Sequence, residues 1–248
     1  MTALQPRALF VSDLHLADER PGITGRFLRF LREGATDAHA LYILGDLFDF
    51  WVGDDAADVE LDREVMAALA RLSASGTQVR VMHGNRDFLL AGGFERATGS
   101  TLIHDPTLAQ LFGVPTLLMH GDTLCTDDRD YQAFRRQVRD PATQRAFLSL
   151  PVEQRRTRVG QTRAHSEQAK RDKPAAIMDV ALAAVESVLR QHGHPPRLIH
   201  GHTHRPATHH HVVDGNASER WVLADWNDTY GEYLEATPEG LRRMPLPP

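Results

Sequence analysis

The chain has 248 residues, 42% of them hydrophobic, and a formal net charge of −5. This length suffices for one sizeable core with a small appended subdomain, and the negative charge argues against a general nucleic-acid-binding protein. The single cysteine, Cys125, excludes an internal disulfide and is consistent with a reducing compartment. Apolar runs fall short of the roughly 18 residues of a membrane span, and the N-terminal residues lack a signal-peptide stretch. We therefore expect a cytoplasmic protein, either soluble or resting on a membrane surface.

Six short apolar runs have the length and composition of buried strands. They are Ala8–Val11, Ala40–Leu44, Val79–Met82, Thr116–Met119, Leu198–Ile199 and Trp221–Ala224. Helical periodicity is present at Arg26–Glu33, Asp62–Ser75 and Lys173–Gln191. Gly193 follows the last of these segments and fits a helix stop. The alternation of strands and helices predicts an α/β layered fold around a central sheet.

A short polar motif follows each of the first five predicted strands. The motifs are Asp13-Leu-His15, Gly-Asp46, Gly-Asn85-Arg86, His120-Gly-Asp and His202-Thr-His204. Ligands of open α/β sheets bind outside the carboxyl ends of the strands, so five such motifs are expected to converge. On an extended chain, residues two apart share a face, which predicts that the two ligands of each Asp-x-His or His-x-His motif point the same way.

The converging side chains form a candidate set of metal ligands. They are Asp13, His15, Asp46, Asn85, His120, His202 and His204. Seven ligands exceed the usual set of one ion and suit two ions, with Asp46 as the bridge because a carboxylate has two oxygens. Nitrogen and oxygen ligands without a thiolate suit Mn²⁺, Fe, Zn²⁺ or Co²⁺. Two ions about 3.5–4 Å apart can activate a water for attack on phosphorus, so no Ser, Cys or Lys nucleophile is required.

Arg86 narrows the expected reaction. Arginine stays protonated at working pH, so it is suited to clamp phosphate oxygens rather than to act as a general acid. A leaving phosphate ester is a stable anion that needs little protonation, so Arg86 favours cleavage of a pyrophosphate. His83 is an alternative proton donor, although a strand-end histidine bonded to backbone is the simpler interpretation. His209–His211 is interpreted as a surface turn or strand rather than a metal site.

Residues 126–173 depart from the alternation and contain helical segments without a convincing strand. This stretch holds twelve Lys/Arg and seven Asp/Glu, a net charge of +5. Its apolar stripes consist of Tyr131, Phe134 and Val138, then Phe147, Leu148 and Leu150. We predict a core formed by residues 1–125 and 174–248, with residues 126–173 inserted as a basic helical cap.

Taken in order, Asp-x-His, Gly-Asp, Gly-Asn, His-Gly and Gly-His-x-His resemble the calcineurin-type metallophosphoesterase family. The resemblance implies a β-sandwich flanked by helices, with two metals at the strand ends. Most members carry His after Gly-Asn, and Arg86 departs from that pattern. Segments 41–48, 83–90, 120–128, 177–180 and 200–206 further resemble one branch, the UDP-2,3-diacylglucosamine hydrolases of the lipid A pathway, across nearly the whole chain.

Resemblance to this branch implies two Mn²⁺ ions and hydrolysis of UDP-2,3-diacylglucosamine at the α-phosphorus, at the cytoplasmic face of the inner membrane. The products would be UMP and 2,3-diacylglucosamine 1-phosphate. The residues expected to be closest to the chemistry are Asp46, Asn85, Arg86 and His120. The substrate-contact positions of the branch fall on Asn85, Arg86, Asp128, Ser166, Lys170, Lys173 and His202. Ala224-Asp225-Trp226 differs from the usual Gly-x-Trp of the branch.

Two other functions remain open at this level. One is a soluble phosphodiesterase or dinucleotide polyphosphate hydrolase on the same dinuclear core. The other is a non-catalytic scaffold that has lost its metals, against which the complete ligand set argues. The cap charges suit an anionic diphosphate and an anionic lipid surface, but a solvated helical face explains them equally well. The cap stripes would line a chamber for acyl chains or pack onto the core. Neither nucleic acid nor an obligate protein partner is expected.

Overall fold

The computed structural model describes residues 6–57, 59–172 and 177–247, without the side chains of 164–172. The strands are β1 Ala8–Val11, β2 Ala40–Leu44, β3 Gln78–Met82, β4 Thr101–Ile103, β5 Thr107–Leu111, β6 Val114–Met119, β7 Arg197–His200, β8 Ala207–Val213, β9 Asn216–Val222, β10 Glu232–Thr237 and β11 Gly240–Pro245. The helices are α1 Pro21–Arg29, α2 Glu60–Ala74, α3 Gly92–Thr98, α4 Arg129–Val138, α5 Pro141–Leu148, α6 Val152–Asp172 and α7 Leu182–Gln191.

The strands form two mixed sheets. The six-stranded sheet has the order β11-β10-β1-β2-β3-β4, and the five-stranded sheet has the order β5-β6-β7-β9-β8. β1 to β4 run parallel, as do β6, β7 and β9. Parallel neighbours place their carboxyl ends at the same edge of a sheet, and the polar motifs follow β1, β2, β3, β6 and β7 at these ends.

The structure has three hydrophobic cores, and they explain why the parallel strands have unbroken apolar sequences. In β1, Phe10 points into the core between the two sheets, and its neighbours Leu9 and Val11 point to the core beneath the outer helices α1 and α2. A third core lies between the five-stranded sheet and α7. Strands buried on both faces cannot show the alternation of a half-exposed strand. The α/β layering and the sandwich flanked by helices are thus confirmed.

Several elements differ from the sequence-based expectation. Residues 177–181 of the predicted Lys173–Gln191 helix form a turn and extended chain, so that α7 begins only at Leu182. The amide of Ala181 bonds to the carbonyl of Leu124 and not to a preceding helical turn. Leu182 is 60% exposed, and the buried face of α7 consists of Val185, Val188 and Leu189. Lys173 lies outside the described residues.

The strands that the sequence did not reveal are the edge or antiparallel ones. β4, β5, β8, β10 and β11 were not predicted, and the run Trp221–Ala224 belongs to the end of a strand that begins at Asn216. β8 and β11 lie at sheet edges and carry mostly half-exposed or exposed side chains. Such strands lack the apolar run that marks a strand buried on both faces.

The predicted helical stretch contains α4, α5 and α6, joined by short turns. α4 and α5 begin with side-chain caps, because Asp128 accepts from the Tyr131 amide and Asp140 from the Thr143 amide. Neither of these two helices has a fully buried residue. Within the described ranges, we find no helix with the length and apolarity needed to span a bilayer.

Candidate metal centre

The five motifs meet at one edge of the sandwich. His15 Nε2 lies 3.4 Å from His204 Nε2 and 3.8 Å from Asp46 Oδ2. His204 Nε2 lies 3.4 Å from Asp13 Oδ1, and His120 Nε2 lies 3.9 Å from Asp46 Oδ2. Side chains separated by up to about 190 residues are thus within a few ångströms of one another.

The ligand atoms form two overlapping groups. Asp13, His15 and His204 place one ligand atom each within 4.8 Å of the others, and so do Asp13, Asp46 and His120. Asp13 is common to both groups. Asp46 Oδ2 lies 3.8 Å from His15 Nε2 and 3.9 Å from His120 Nε2, so Asp46 lies between these two histidines, and its bridging role stays a prediction.

Asn85 connects the remaining two histidines. Its Oδ1 lies 3.1 Å from His120 Nε2 and 3.0 Å from His202 Nδ1. The ring centroids of His120 and His202 are 5.1 Å apart in an edge-on arrangement. All seven sequence-predicted ligands are thus brought together, with Asp13 and Asp46 close to both the His15 group and the His120 group.

The predicted cause of the shared orientation of the ligands in Asp13-Leu-His15 and in His202-Thr-His204 was an extended backbone, and that prediction was wrong. Neither motif is an extended strand end, because β1 stops at Val11 and β7 stops at His200. The left-handed region is occupied instead by five ligand residues, with φ of 46–68°. They are Asp13, His15, Asp46, His202 and His204. This conformation costs a non-glycine residue about 1–2 kcal/mol and persists only where surrounding contacts over-determine it.

Two glycines allow the ligand loops to touch. A Cβ on Gly84 would lie 2.0 Å from Asp46 Oδ1, and a Cβ on Gly201 would lie 2.3 Å from Asp13 Oδ2. No side chain other than hydrogen fits at either position without moving a ligand carboxylate.

Hydrogen bonds from backbone and side chains fix the carboxylates. Asp46 Oδ1 accepts from the Arg86 amide at 2.8 Å, and Asp13 Oδ2 accepts from the His202 amide at 2.8 Å and from the Ser12 hydroxyl. Each carboxylate keeps its other oxygen toward the histidines.

Two buried acids beside the ligands were not assigned a role from the sequence. Asp87 accepts from the amides of Leu47 and Gly84, both at 2.8 Å, and so joins the loops after β2 and β3. Asp122 accepts from the Tyr131 hydroxyl and from Arg135 Nε, both at 2.6 Å, which attaches α4 to the loop after β6. The sequence signal that could have identified them is their position, because Asp87 directly follows Gly-Asn-Arg and Asp122 directly follows His-Gly.

The electrostatics of the cluster favour added positive charge. Burial opposes the charged form of His120, but Asp46, Asp122 and Asp13 outweigh it and raise its pKa to about 9. Burial raises the pKa of Asp46 to about 7, with repulsion from Asp87 and Asp13 adding to the effect of desolvation. Burial also acts to raise the pKa of Asp13, yet His204 and His120 outweigh it and lower that pKa below its usual range.

The donor set fits divalent cations. Asp13 Oδ1 is buried and accepts no well-formed hydrogen bond within the described part of the chain, with His204 Nε2 3.4 Å away. Imidazole nitrogens face one another and face carboxylate oxygens at 3.4–3.9 Å, which suits ligands that share an ion better than partners in hydrogen bonds. Mixed imidazole, carboxylate and amide donors suit borderline divalent metals.

The substrate-contact positions differ in how the structure places them. Arg86 is half-buried beside the ligand cluster, and Asp128 caps α4. The side chains of Ser166 and Lys170 lie outside the described residues, as does Lys173 altogether. The contact role of these residues stays a prediction.

The structure agrees with the two non-catalytic roles predicted for histidines, namely a backbone bond for His83 and a surface strand or turn for His209–His211. His83 Nε2 lies 2.8 Å from the carbonyl oxygen of Leu90, so this ring is bonded to backbone. His209–His211 belongs to the edge strand β8, where the first two rings are exposed.

The comparisons with known proteins agree with this geometry. The sequence profile of the calcineurin-like phosphoesterases matches residues 6–206. A UDP-2,3-diacylglucosamine hydrolase from Aromatoleum aromaticum is 54% identical over 89% of this chain and 89% of its own length. One from Chromohalobacter salexigens is 49% identical over 90% of each chain. An archaeal phosphodiesterase structure superposes with a TM-score of 0.50 at 11% identity, covering 97% of this chain and 99% of its own, and so shares the fold. The chain belongs to the calcineurin-like phosphoesterase family, in the branch of the UDP-2,3-diacylglucosamine hydrolases.

Proposed function

We propose that the protein hydrolyses the pyrophosphate bond of UDP-2,3-diacylglucosamine at the α-phosphorus, as a step of lipid A biosynthesis. The products are UMP and 2,3-diacylglucosamine 1-phosphate. The observation that carries the proposal is the convergence of seven ligand-type side chains from five strand ends. The proposal is also supported by relatives named UDP-2,3-diacylglucosamine hydrolase, which match this chain over about nine-tenths of its length.

The ligand cluster would hold two divalent cations, which we propose to be Mn²⁺. One ion would be held by Asp13, His15, Asp46 and His204. The other would be held by Asp46, Asn85, His120 and His202. When bound, such a pair of ions lowers the pKa of a water molecule towards neutrality and neutralises charge on phosphoryl oxygens.

Arg86 would hold the diphosphate against the cluster. Its amide bonds to Asp46, and its guanidinium carries planar donors that match phosphate oxygens. The group leaving the α-phosphorus is a sugar phosphate, which departs as a stable anion and therefore needs no proton from Arg86. His83, whose Nε2 is engaged by the Leu90 carbonyl, is not required as an acid in this scheme.

The helices α4, α5 and α6 would form the cap that receives the lipid part of the substrate. Phe134 on α4 and Leu148 on α5 are 42% and 39% exposed. A cleft beside the His15 loop has an apolar part that includes Leu16, Phe50, Trp51, Val52 and Leu61. Its polar lining consists of Asp18, Glu19, Asp62 and Arg156 of α6. We propose that this cleft accepts acyl carbons.

We further propose that the protein works as a peripheral protein on the cytoplasmic face of the inner membrane. The net charge of +5 in residues 126–173 supports attraction to anionic lipid, at about 1 kcal/mol for each basic residue near such a surface. Sedimentation with vesicles containing anionic lipid, compared with neutral vesicles, tests this part separately.

The decisive experiment incubates the purified protein with Mn²⁺ and UDP-2,3-diacylglucosamine and measures UMP. Asp46→Ala is the inactive control, and Asp214→Ala is the matched control at an exposed acid paired with Arg190. We expect UMP from the wild type and from Asp214→Ala, and none after chelation. Turnover of diadenosine tetraphosphate with no UMP from the lipid substrate would instead identify a soluble dinucleotide hydrolase.

A further inference from the structure

A buried arginine lies directly behind the metal-ligand loop. Arg220 is in β9 and is 6% exposed. Its Nη1 lies 3.0 Å from His200 Nε2, and its Nε lies 3.2 Å from His211 Nε2. Both of these hydrogen-bond partners are imidazoles, and within the described part of the chain no carboxylate is bonded to this guanidinium. This is an unusual environment for a buried cation, because such charges are normally paired.

The arginine determines which nitrogen of His200 carries a proton. A guanidinium has donors and no acceptor, so the Nε2 atom of His200 must accept and must lack a hydrogen. A neutral imidazole then carries its hydrogen on Nδ1. His200 Nδ1 lies 2.8 Å from the carbonyl oxygen of Gly201 and donates to it.

The Gly201 peptide is the point at which this network reaches the ligands. Its carbonyl also accepts from the Thr203 amide at 2.9 Å, and its own amide donates to the His120 carbonyl at 2.9 Å. The His200 ring packs against the other ligand loop as well, because a Cβ on Gly121 would lie 2.7 Å from His200 Nδ1.

The residues immediately after Gly201 adopt a costly backbone. His202 and His204 have φ of 68° and 54°, and a left-handed conformation needs surrounding contacts to maintain it. The hydrogen bond from His200 to Gly201 is one such contact, and it exists only in the tautomer that Arg220 selects.

We propose that Arg220 is a positioning residue for the metal centre. It fixes His200 as the Nδ1–H tautomer, and His200 in turn holds the Gly201 carbonyl and thereby the loop that presents His202 and His204. The inference concerns the ligand loop alone, and only its consequence for turnover rests on the proposed function.

The first test compares two substitutions of His200. The side-chain amide of Asn overlaps the Nδ1 side of histidine and keeps a donor toward Gly201, whereas Gln places its amide on the Nε2 side and loses that donor. Mn²⁺-loaded variants are titrated with a chelator, and the EPR signal of displaced Mn²⁺ gives the affinity. We expect His200→Asn to stay within about threefold of wild type and His200→Gln to lose about 10–100-fold, the range for residues that orient metal ligands. Equal losses in the two variants overturn the proposal.

The second test changes the arginine. Arg220→Met should lower Mn²⁺ affinity about 10–100-fold, and in the His200→Asn background the same change should have little further effect. Arg243→Met is the matched control, because Arg243 bonds to Glu232 and to the carbonyls of Ala207 and Val222 and not to the ligand loop. Equal affinity losses in the Arg220 and Arg243 variants, or full additivity with His200→Asn, contradict a positioning role.

The third test reads the tautomer directly in Zn²⁺-loaded, ¹⁵N-histidine-labelled protein. Long-range ¹H–¹⁵N spectra should show His200 as the Nδ1–H form in wild type, assigned by the signals lost in His200→Asn. Observation of the Nε2–H form in wild type refutes the inference. If Arg220→Met does not fold, the His200 variants and this spectrum decide the question. None of these measurements uses the lipid substrate, so the loop assignment and the proposed hydrolysis can fail independently.

Discussion

The amide of Arg86 donates a hydrogen bond to Oδ1 of Asp46 at 2.8 Å. The proposed phosphate-binding residue and the proposed bridging carboxylate are thus connected through backbone, independently of the arginine side chain. Arg86→Ala keeps this hydrogen bond and removes the guanidinium. We expect metal content to remain at the wild-type level while the rate of UMP release falls about 10²–10³-fold, as for the loss of one charge-stabilising donor.

Arg86→Lys is the informative companion variant. Lysine keeps the charge but cannot offer two parallel donors, so its rate should lie between those of wild type and Arg86→Ala. Metal content measured by plasma emission and UMP release measured by chromatography separate the two roles. Loss of metal in Arg86→Ala would show that the side chain also supports the cluster.

The ligand set was predictable from sequence because it lies in loops that follow buried strands. Runs such as Ala8–Val11 and Ala40–Leu44 are apolar on both faces, so strand and strand end are both visible. The conformation of the ligand loops was not predictable in the same way. Asp13 and His15 lie in the left-handed region. Asp and His enter this region more often than most residues, but it is uncommon even for them, so the motif alone does not predict it. That backbone is imposed by tertiary bonds such as the one from the His15 amide to the Asp46 carbonyl at 2.9 Å.

The same reasoning explains the error at the start of α7. Met178 and Leu182 continue the apolar spacing of the helix in sequence, but Asp179 accepts from the next amide and pairs with Arg205. Local side-chain-to-backbone bonding of this kind competes with helix. The periodicity of apolar residues contains no information about that competition.

Gly84 offers a direct test of how closely the two loops must approach. A methyl group at this position would lie 2.0 Å from Asp46 Oδ1 and 2.3 Å from the Asp46 amide nitrogen. Because part of this clash is with backbone, rotation of a side chain cannot relieve it. We expect Gly84→Ala to displace Asp46, to lose at least one equivalent of bound metal and to be inactive.

The control for Gly84→Ala is the same substitution in a helix. A Cβ on Gly25, in α1, meets nothing within 4 Å, and Gly→Ala inside a helix stabilises by about 0.5–1 kcal/mol. Gly25→Ala should therefore bind metal normally and unfold at slightly higher urea concentration. Wild-type metal content in Gly84→Ala would refute the close approach of the two loops.

Cys125 should be chemically inert in the folded protein. It is 2% exposed, and burial, together with the negative charges of Asp122 and Asp179, raises the pKa of its thiol to about 12. The reactive thiolate is therefore scarce at pH 8. We expect no reaction with a disulfide reagent such as Ellman's over an hour at pH 8, and one equivalent after denaturation in urea. Rapid labelling of the native protein would indicate that the chain opens beside α4.

Arg155 provides the last prediction, because it attaches α6 to the loop after β2. It is 2% exposed, donates to the carbonyls of Val52 and Leu150, and pairs with Asp55. Arg155→Met removes the donor from the buried Val52 carbonyl, at a cost of about 1–3 kcal/mol, and also removes the donor from the half-buried Leu150 carbonyl. We expect a lower urea midpoint, faster amide exchange in α6, and a KM that rises more for the acylated substrate than for bis(p-nitrophenyl) phosphate. Arg158→Met, at an exposed position of the same helix, should leave all three at wild-type values. A similar rise in KM for both substrates in Arg155→Met would place α6 outside the lipid-binding part of the protein.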